Sequence, residues 1–143
     1  MANKPAVYSR DSDLTGLWSG EYWYDAVNTP TPFTAHFVDT GGSLTGTTLE
    51  PNTFANAGGQ EISADIRGAR GDLSVRFTKL YHPSPGVHQH PIIYVGEVDA
   101  DFTMIDGEWT FSSMPEWRGR FVLVRVSHGA KALEVEAEKA AAT

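Results

Sequence analysis

In Leu14-Thr15-Gly16-Leu17-Trp18-Ser19-Gly20-Glu21-Tyr22-Trp23-Tyr24, two glycines and four aromatics fall within eleven residues, and the large apolar positions alternate. Alternation at period two marks a β-strand with one buried face. Leu14, Gly16, Trp18, Gly20, Tyr22 and Tyr24 share one face, and Thr15, Leu17, Ser19, Glu21 and Trp23 share the other. A glycine between large residues lets a strand bend sharply, as a sheet that closes on itself requires.

Outward from this first strand the same period recurs, interrupted by Gly, Pro, Asn and Asp. Strands are predicted over Phe33–Asp39, Leu44–Glu50, Gln60–Arg67, Leu73–Tyr81, about His90–Val98, about Phe102–Phe111 and Trp117–Val126. Asn28-Thr29-Pro30-Thr31-Pro32 is read as a breaker, and Thr40-Gly41-Gly42-Ser43 as a tight hairpin turn. Eight strands with short connections and no intervening helix argue for an all-β fold, a single eight-stranded antiparallel up-and-down barrel. An open sheet would leave exposed edges. The expected organisation is a polar lead-in over 1–13, the barrel over 14–126 and an Ala/Glu-rich C-terminal helix or tail over 127–143.

Composition narrows the function. The 143 residues carry a net charge of −7, and no Lys/Arg cluster offers a phosphate-binding face, so nucleic acid is not an expected partner. The absence of cysteine excludes disulfides, thiolate metal sites and cysteine nucleophiles. Met1 to Arg10 contains no apolar run of signal-peptide length and no transmembrane segment follows, so no membrane partner is expected and the expected location is the cytoplasm.

Several local patterns resemble the avidin and streptavidin family within the lipocalin-like, calycin-type barrels. Leu14-Thr15-Gly16-Leu17-Trp18 resembles that family's first strand, and Gly42-Ser43-Leu44-Thr45-Gly46-Thr47 its hairpin into strand three. Phe77-Thr78-Lys79-Leu80-Tyr81 is similar to an aromatic-Lys segment ending in Tyr, and Ile105-Asp106-Gly107-Glu108-Trp109 to the start of strand seven. The resemblance implies an eight-stranded ligand-binding barrel that associates into dimers or tetramers. Its biotin contacts are not reproduced: Gly20, Tyr24, Thr48, Glu50, His90, Ile92 and Arg125 stand where the family places its polar ligands or near them. Each buried polar group of a ligand left unpaired costs roughly 1 to 3 kcal/mol, so tight biotin binding is not expected. Phe77, Tyr94 and Trp109 keep the aromatic walls in kind.

Strand parity then gives a candidate ligand site. With Trp18 inward, the inward set at the open end comprises Tyr22, Tyr24, Thr48, Glu50, Phe77, Lys79, Tyr81, His90, Tyr94, Trp109 and Arg125. Charge inside a barrel has to be compensated, so Glu50, Lys79 and Arg125 are expected to pair with one another or to meet water or a ligand. Lys79 and Arg125 sharing one face would favour an anionic or phenolic small molecule. A cavity enzyme of isomerase, cyclase or lyase type using Glu50 or His90 with a tyrosine is the first alternative, and a barrel without ligand, serving protein interaction, is the second. No catalytic or cofactor motif is present, and no cofactor is expected. His82, His88 and His90 crowd the loop between strands five and six; His88-x-His90 is a spacing that can chelate, but the loop holds no acidic ligand, so no metal is assigned.

Strands six and eight are apolar on both faces, through Ile93, Val95, Val122, Val124 and Val126. The outer surface of strands six to eight is therefore the expected interface of a homo-oligomer, unless the C-terminal segment covers it. Trp117 is expected either to cap its own barrel or to reach a neighbour's pocket.

Overall fold

A computed structural model describes residues 12–53 and 60–127. The lead-in up to residue 11, positions 54–59 and the C-terminal helix or tail from residue 128 lie outside the described residues. Eight antiparallel strands, β1 (Gly16–Tyr24), β2 (Val27–Thr40), β3 (Ser43–Pro51), β4 (Glu61–Gly71), β5 (Ser74–Tyr81), β6 (Ile92–Val98), β7 (Met104–Phe111) and β8 (Arg118–Ser127), follow one another around a closed barrel. β8 pairs back onto β1, with Glu21 opposite Val122, which closes the sheet on itself.

Gly20 of β1 serves a close approach between strands, where the sequence suggested a bend. A Cβ on Gly20 would lie 1.8 Å from the Val122 carbonyl oxygen, so the closing pair β1–β8 can approach only over a residue without a side chain. At the β2–β3 turn Gly41 and Gly42 both have positive φ, 61° and 98°, the pattern of a type I′ hairpin.

Several boundaries differ from the sequence expectation: β4 runs on from Arg67 to Gly71, β7 begins at Met104 and not at Phe102, and two further differences bear on the site. β2 begins at Val27 and runs through the segment read as a breaker. Its pairing with β3 spans only Thr34 to Thr40, so among the described residues its first half is bonded to β1 alone and has one side where Pro30 and Pro32, lacking N–H, forfeit no ladder bond. β6 begins at Ile92, which leaves His90 on the loop before the strand because Pro91 cannot extend the ladder.

The interior is filled. Phe77 stacks on Tyr94 with ring centroids 5.0 Å apart and planes 10° from parallel, and Phe37, Phe121 and Trp18 pack edge-on around this pair and one another. On the outer wall the valines anticipated on β6 and β8 are exposed: Val95, Val124 and Val126 are 45%, 49% and 50% accessible.

One end is closed by two arginines. Asp39 accepts hydrogen bonds from the Leu14 and Gly42 amides and from Arg70 Nε. Arg125 lies over the Trp18 ring at 4.6 Å and donates to the carbonyls of Phe102, Thr15 and Asp13. Arg125 therefore sits at the end opposite Tyr22 and Tyr24 and does not share the open mouth with Lys79. The cause is strand direction: β1 and β8 are antiparallel, so the end of β8 lies beside the beginning of β1.

Arg125→Met keeps the aliphatic stem but leaves three backbone carbonyls without their cationic donor. A loss of about 2 to 4 kcal/mol in urea unfolding is expected, and an unchanged midpoint would show that the guanidinium does not hold this end.

Candidate ligand site at the barrel mouth

Glu50 organises the open end. Parity along β3 points Leu44, Thr48 and Glu50 inward, and all three are buried. Glu50 Oε1 accepts from Lys79 Nζ at 2.7 Å, and Oε2 accepts from the hydroxyls of Tyr22 at 2.6 Å and Tyr81 at 3.0 Å. Neither charged side chain is accessible to water. Lys79 also donates to Tyr94 Oη at 3.4 Å, and its ammonium lies 4.8 to 5.5 Å from the ring centres of Tyr22, Phe33, Tyr81 and Tyr94. The aromatic faces return part of the cation solvation that burial removes. The expected compensation of Glu50 by Lys79 is thus present, without Arg125.

The electrostatics follow from burial. Desolvation, and then the Glu50 charge, pushes the Tyr22 phenol far above its ordinary value. Tyr81 moves in the same direction, first by burial and then through Tyr22 and Glu50. Tyr94 and the half-buried Tyr24 are raised too, again chiefly by burial. Burial lowers Lys79, against the pull of the Glu50 carboxylate. All four tyrosines stay neutral donors at physiological pH.

Above this cluster the barrel narrows to a void of about 10 Å³ between Tyr22, Tyr24, Tyr81, His88, Tyr94 and Trp109, space for one water at most. Over the void opens a vestibule of about 220 Å³ lined by Tyr24, His88, His90, Phe111, Met114 and Trp117. Tyr24 is its hub, edge-on to Trp109 at 4.7 Å and to Trp117 at 6.1 Å. Trp117 is held by the turn after β7, where its amide donates to the Met114 carbonyl and its carbonyl accepts from the Phe111 amide. It closes over its own barrel, against Phe111 at 5.9 Å.

His88 and His90 form the polar side of the vestibule, with rings 5.4 Å apart. The His90 amide donates to His88 Nδ1 at 3.1 Å, which places the proton of the neutral His88 ring on Nε2. Burial lowers the His88 pKa, and the neighbouring His90 and Lys79 lower it further, so the ring is neutral at pH 7. His82 is elsewhere, on the outer wall with Ser63 and Asp65. Among the described residues no group of three His, Asp or Glu is arranged to hold a metal ion.

The sequence-predicted set therefore divides. Tyr22, Glu50, Lys79, Tyr81 and Tyr94 form the sealed floor; Tyr24 and Trp109 form the throat; His90 stands at the rim. Phe77 is deeper in the core, and Arg125 is at the other end. Thr48 is inward and 2% exposed, with a hydroxyl that has no hydrogen-bond partner among the described residues. Phe111, Met114 and His88 were not in that set. Phe111 was legible, since it follows Trp109 by two positions on one strand. Met114 lies on a turn, where no period applies. Larger hollows of about 580 and 530 Å³ lie on the outer wall, along β3–β5 and β6–β8, away from this cluster.

Two tests follow from the sealed floor. Lys79→Met leaves a buried carboxylate without its counter-charge and should cost about 3 to 5 kcal/mol, whereas adding Glu50→Gln removes the stranded charge and should recover part of that loss. A double variant no more stable than Lys79→Met in urea would show the pair to be uncoupled. In alkali, the unfolded chain releases tyrosine protons near pH 10, the ordinary value, while folded Tyr22, Tyr24, Tyr81 and Tyr94 retain theirs. The stability they confer is complete below that pH and falls as pH rises through it. Phenolate absorbance from these four should therefore appear together with loss of circular dichroism, and a separate earlier step for them would contradict the sealed floor.

No protein-family model matches this chain and no curated protein matches it.

Proposed function

We propose that this calycin-like barrel binds a small, flat, mainly apolar molecule in the vestibule above Tyr24. The observation that carries this reading is an open hollow of about 220 Å³ walled by Tyr24, Phe111, Met114 and Trp117, with the imidazoles of His88 and His90 on one side. Aromatic walls with a few polar groups are the usual composition of a small-molecule site, and the volume, below the roughly 300 to 1,000 Å³ of drug-sized pockets, fits a single- or double-ring compound.

The filled interior argues against a deeply buried ligand such as biotin, since the void beneath the vestibule measures about 10 Å³. The preference for an anion rested on Lys79 and Arg125 acting together. With Lys79 neutralised by Glu50 and Arg125 at the far end, a neutral phenolic or aromatic compound is the better match. A cavity enzyme using Glu50 as base finds little support, because three donors already engage that carboxylate.

Titration with p-cresol, indole and benzoate, followed by tryptophan fluorescence, tests this reading. Saturable binding of p-cresol and indole is expected, weakened about tenfold in Trp117→Ala by loss of one aromatic wall. Benzoate binding equal to that of p-cresol would overturn the neutral preference, and no saturable change with any probe would overturn the site.

A further inference from the structure

Away from the mouth, on the outer wall, Ser63, His82 and Asp65 stand in a relay that the vestibule does not use. Ser63 and Asp65 are two residues apart on β4, so their side chains leave the same, outward face of the strand. His82 immediately follows β5, the next strand, and its amide donates to the Ser63 carbonyl at 3.0 Å, which fixes its backbone beside them. The imidazole lies between the two side chains, with Nδ1 2.7 Å from Ser63 Oγ and Nε2 2.9 Å from Asp65 Oδ1.

With the imidazole neutral, these contacts have one consistent assignment of protons. An ionised carboxylate only accepts, so Asp65 holds the imidazole proton on Nε2. Nδ1 then presents its lone pair, and Ser63 Oγ–H donates to it. A hydroxyl hydrogen-bonded to a base whose far nitrogen is oriented by a carboxylate is the arrangement of an activated nucleophile. It is open to solvent, the side chains of His82 and Asp65 being 46% and 69% exposed. The hollow of about 580 Å³ along β3–β5 includes Asp65 in its lining and continues past Ile66, Arg67, Thr78 and Leu80, so a substrate reaching Ser63 has an amphipathic surface beside it.

We propose that Ser63 is an acyl-accepting nucleophile for activated esters, with His82 as its general base and Asp65 as the residue that orients the base. Ser63 Oγ attacks the ester carbonyl carbon while its proton passes to His82 Nδ1. The bond to the leaving oxygen then breaks, and that oxygen departs with the proton from Nδ1. The products are an acyl ester on Ser63 and the free alcohol or phenol. The three side chains of the relay supply a base and its orienter but no donor for the developing oxyanion, whose charge is left to water. The chemistry is accordingly matched to good leaving groups, such as aryl esters, and not to amides.

The test is peptide mapping by mass spectrometry after exposure of the full chain to p-nitrophenyl acetate. One acetyl group on Ser63 is expected, absent in Ser63→Ala. His82→Gln and Asp65→Asn should each slow its appearance about tenfold or more, the first by removing the base and the second by releasing the proton from Nε2. Because the side chains of His82 and Asp65 are exposed, circular dichroism should show both variants folded. No acetyl on Ser63, or acetylation undiminished in both His82→Gln and Asp65→Asn, would overturn the proposal. Its readout is the adduct at one residue, independent of whether the vestibule takes a ligand.

Discussion

A carboxylate withdrawn from water has to be given donors, and inside this barrel Glu50 is given three. Lys79 supplies the charge and one hydrogen bond, and Tyr22 and Tyr81 supply the others. That single requirement fixes the directions of side chains from β1, β3 and β5 at once. It also decides what the barrel can hold. Once Lys79 is ringed by Tyr22, Phe33, Tyr81 and Tyr94, the interior is occupied by the protein's own cation. The open hollow lies outward of this cluster, at the level of Tyr24 and Trp117, where side chains still meet solvent.

The two ends of the barrel solve the same problem of buried charge in different ways. At the open end the pair is sealed and makes its bonds to side chains. At the closed end Arg125 and Arg70 remain partly accessible, and Arg125 makes its bonds mainly to backbone carbonyls. A side-chain pair depends on two residue identities, whereas a backbone-directed arginine depends on one identity and on the path of the chain. The mouth is thus specified by chemistry and the base by topology.

Much of this was legible in the sequence, because period-two alternation reports face directly. It placed Trp18, Tyr22, Thr48, Glu50, Lys79, Tyr81, Tyr94 and Trp109 inside, where they are found. Alternation carries no information about height along the barrel, which is why Arg125 was expected beside Lys79. The missing information was available in the order of strands: in an up-and-down barrel odd and even strands end at opposite rims, and Arg125 ends an even one. The start of β2 was obscured by Pro30 and Pro32, since a proline signals a break unless the strand's free side is known. The vestibule was least legible. Met114 and Trp117 lie on a turn, and their meeting with Tyr24 and Phe111 depends on closure of the whole sheet.

Arg125 holds the carbonyls of Thr15 and Asp13 across 110 and 112 residues of chain. A ribosome emits β1 first and β8 last, so the earliest strand spends nearly the whole of synthesis without the partner that completes its ladder. During that interval the indole of Trp18 and the apolar face around it stay available to wrong neighbours. Contacts of such long sequence separation form slowly, and a chain that closes them late is most vulnerable to aggregation while it is being made. The arginine that seals the mature barrel therefore also marks the moment at which that hazard ends.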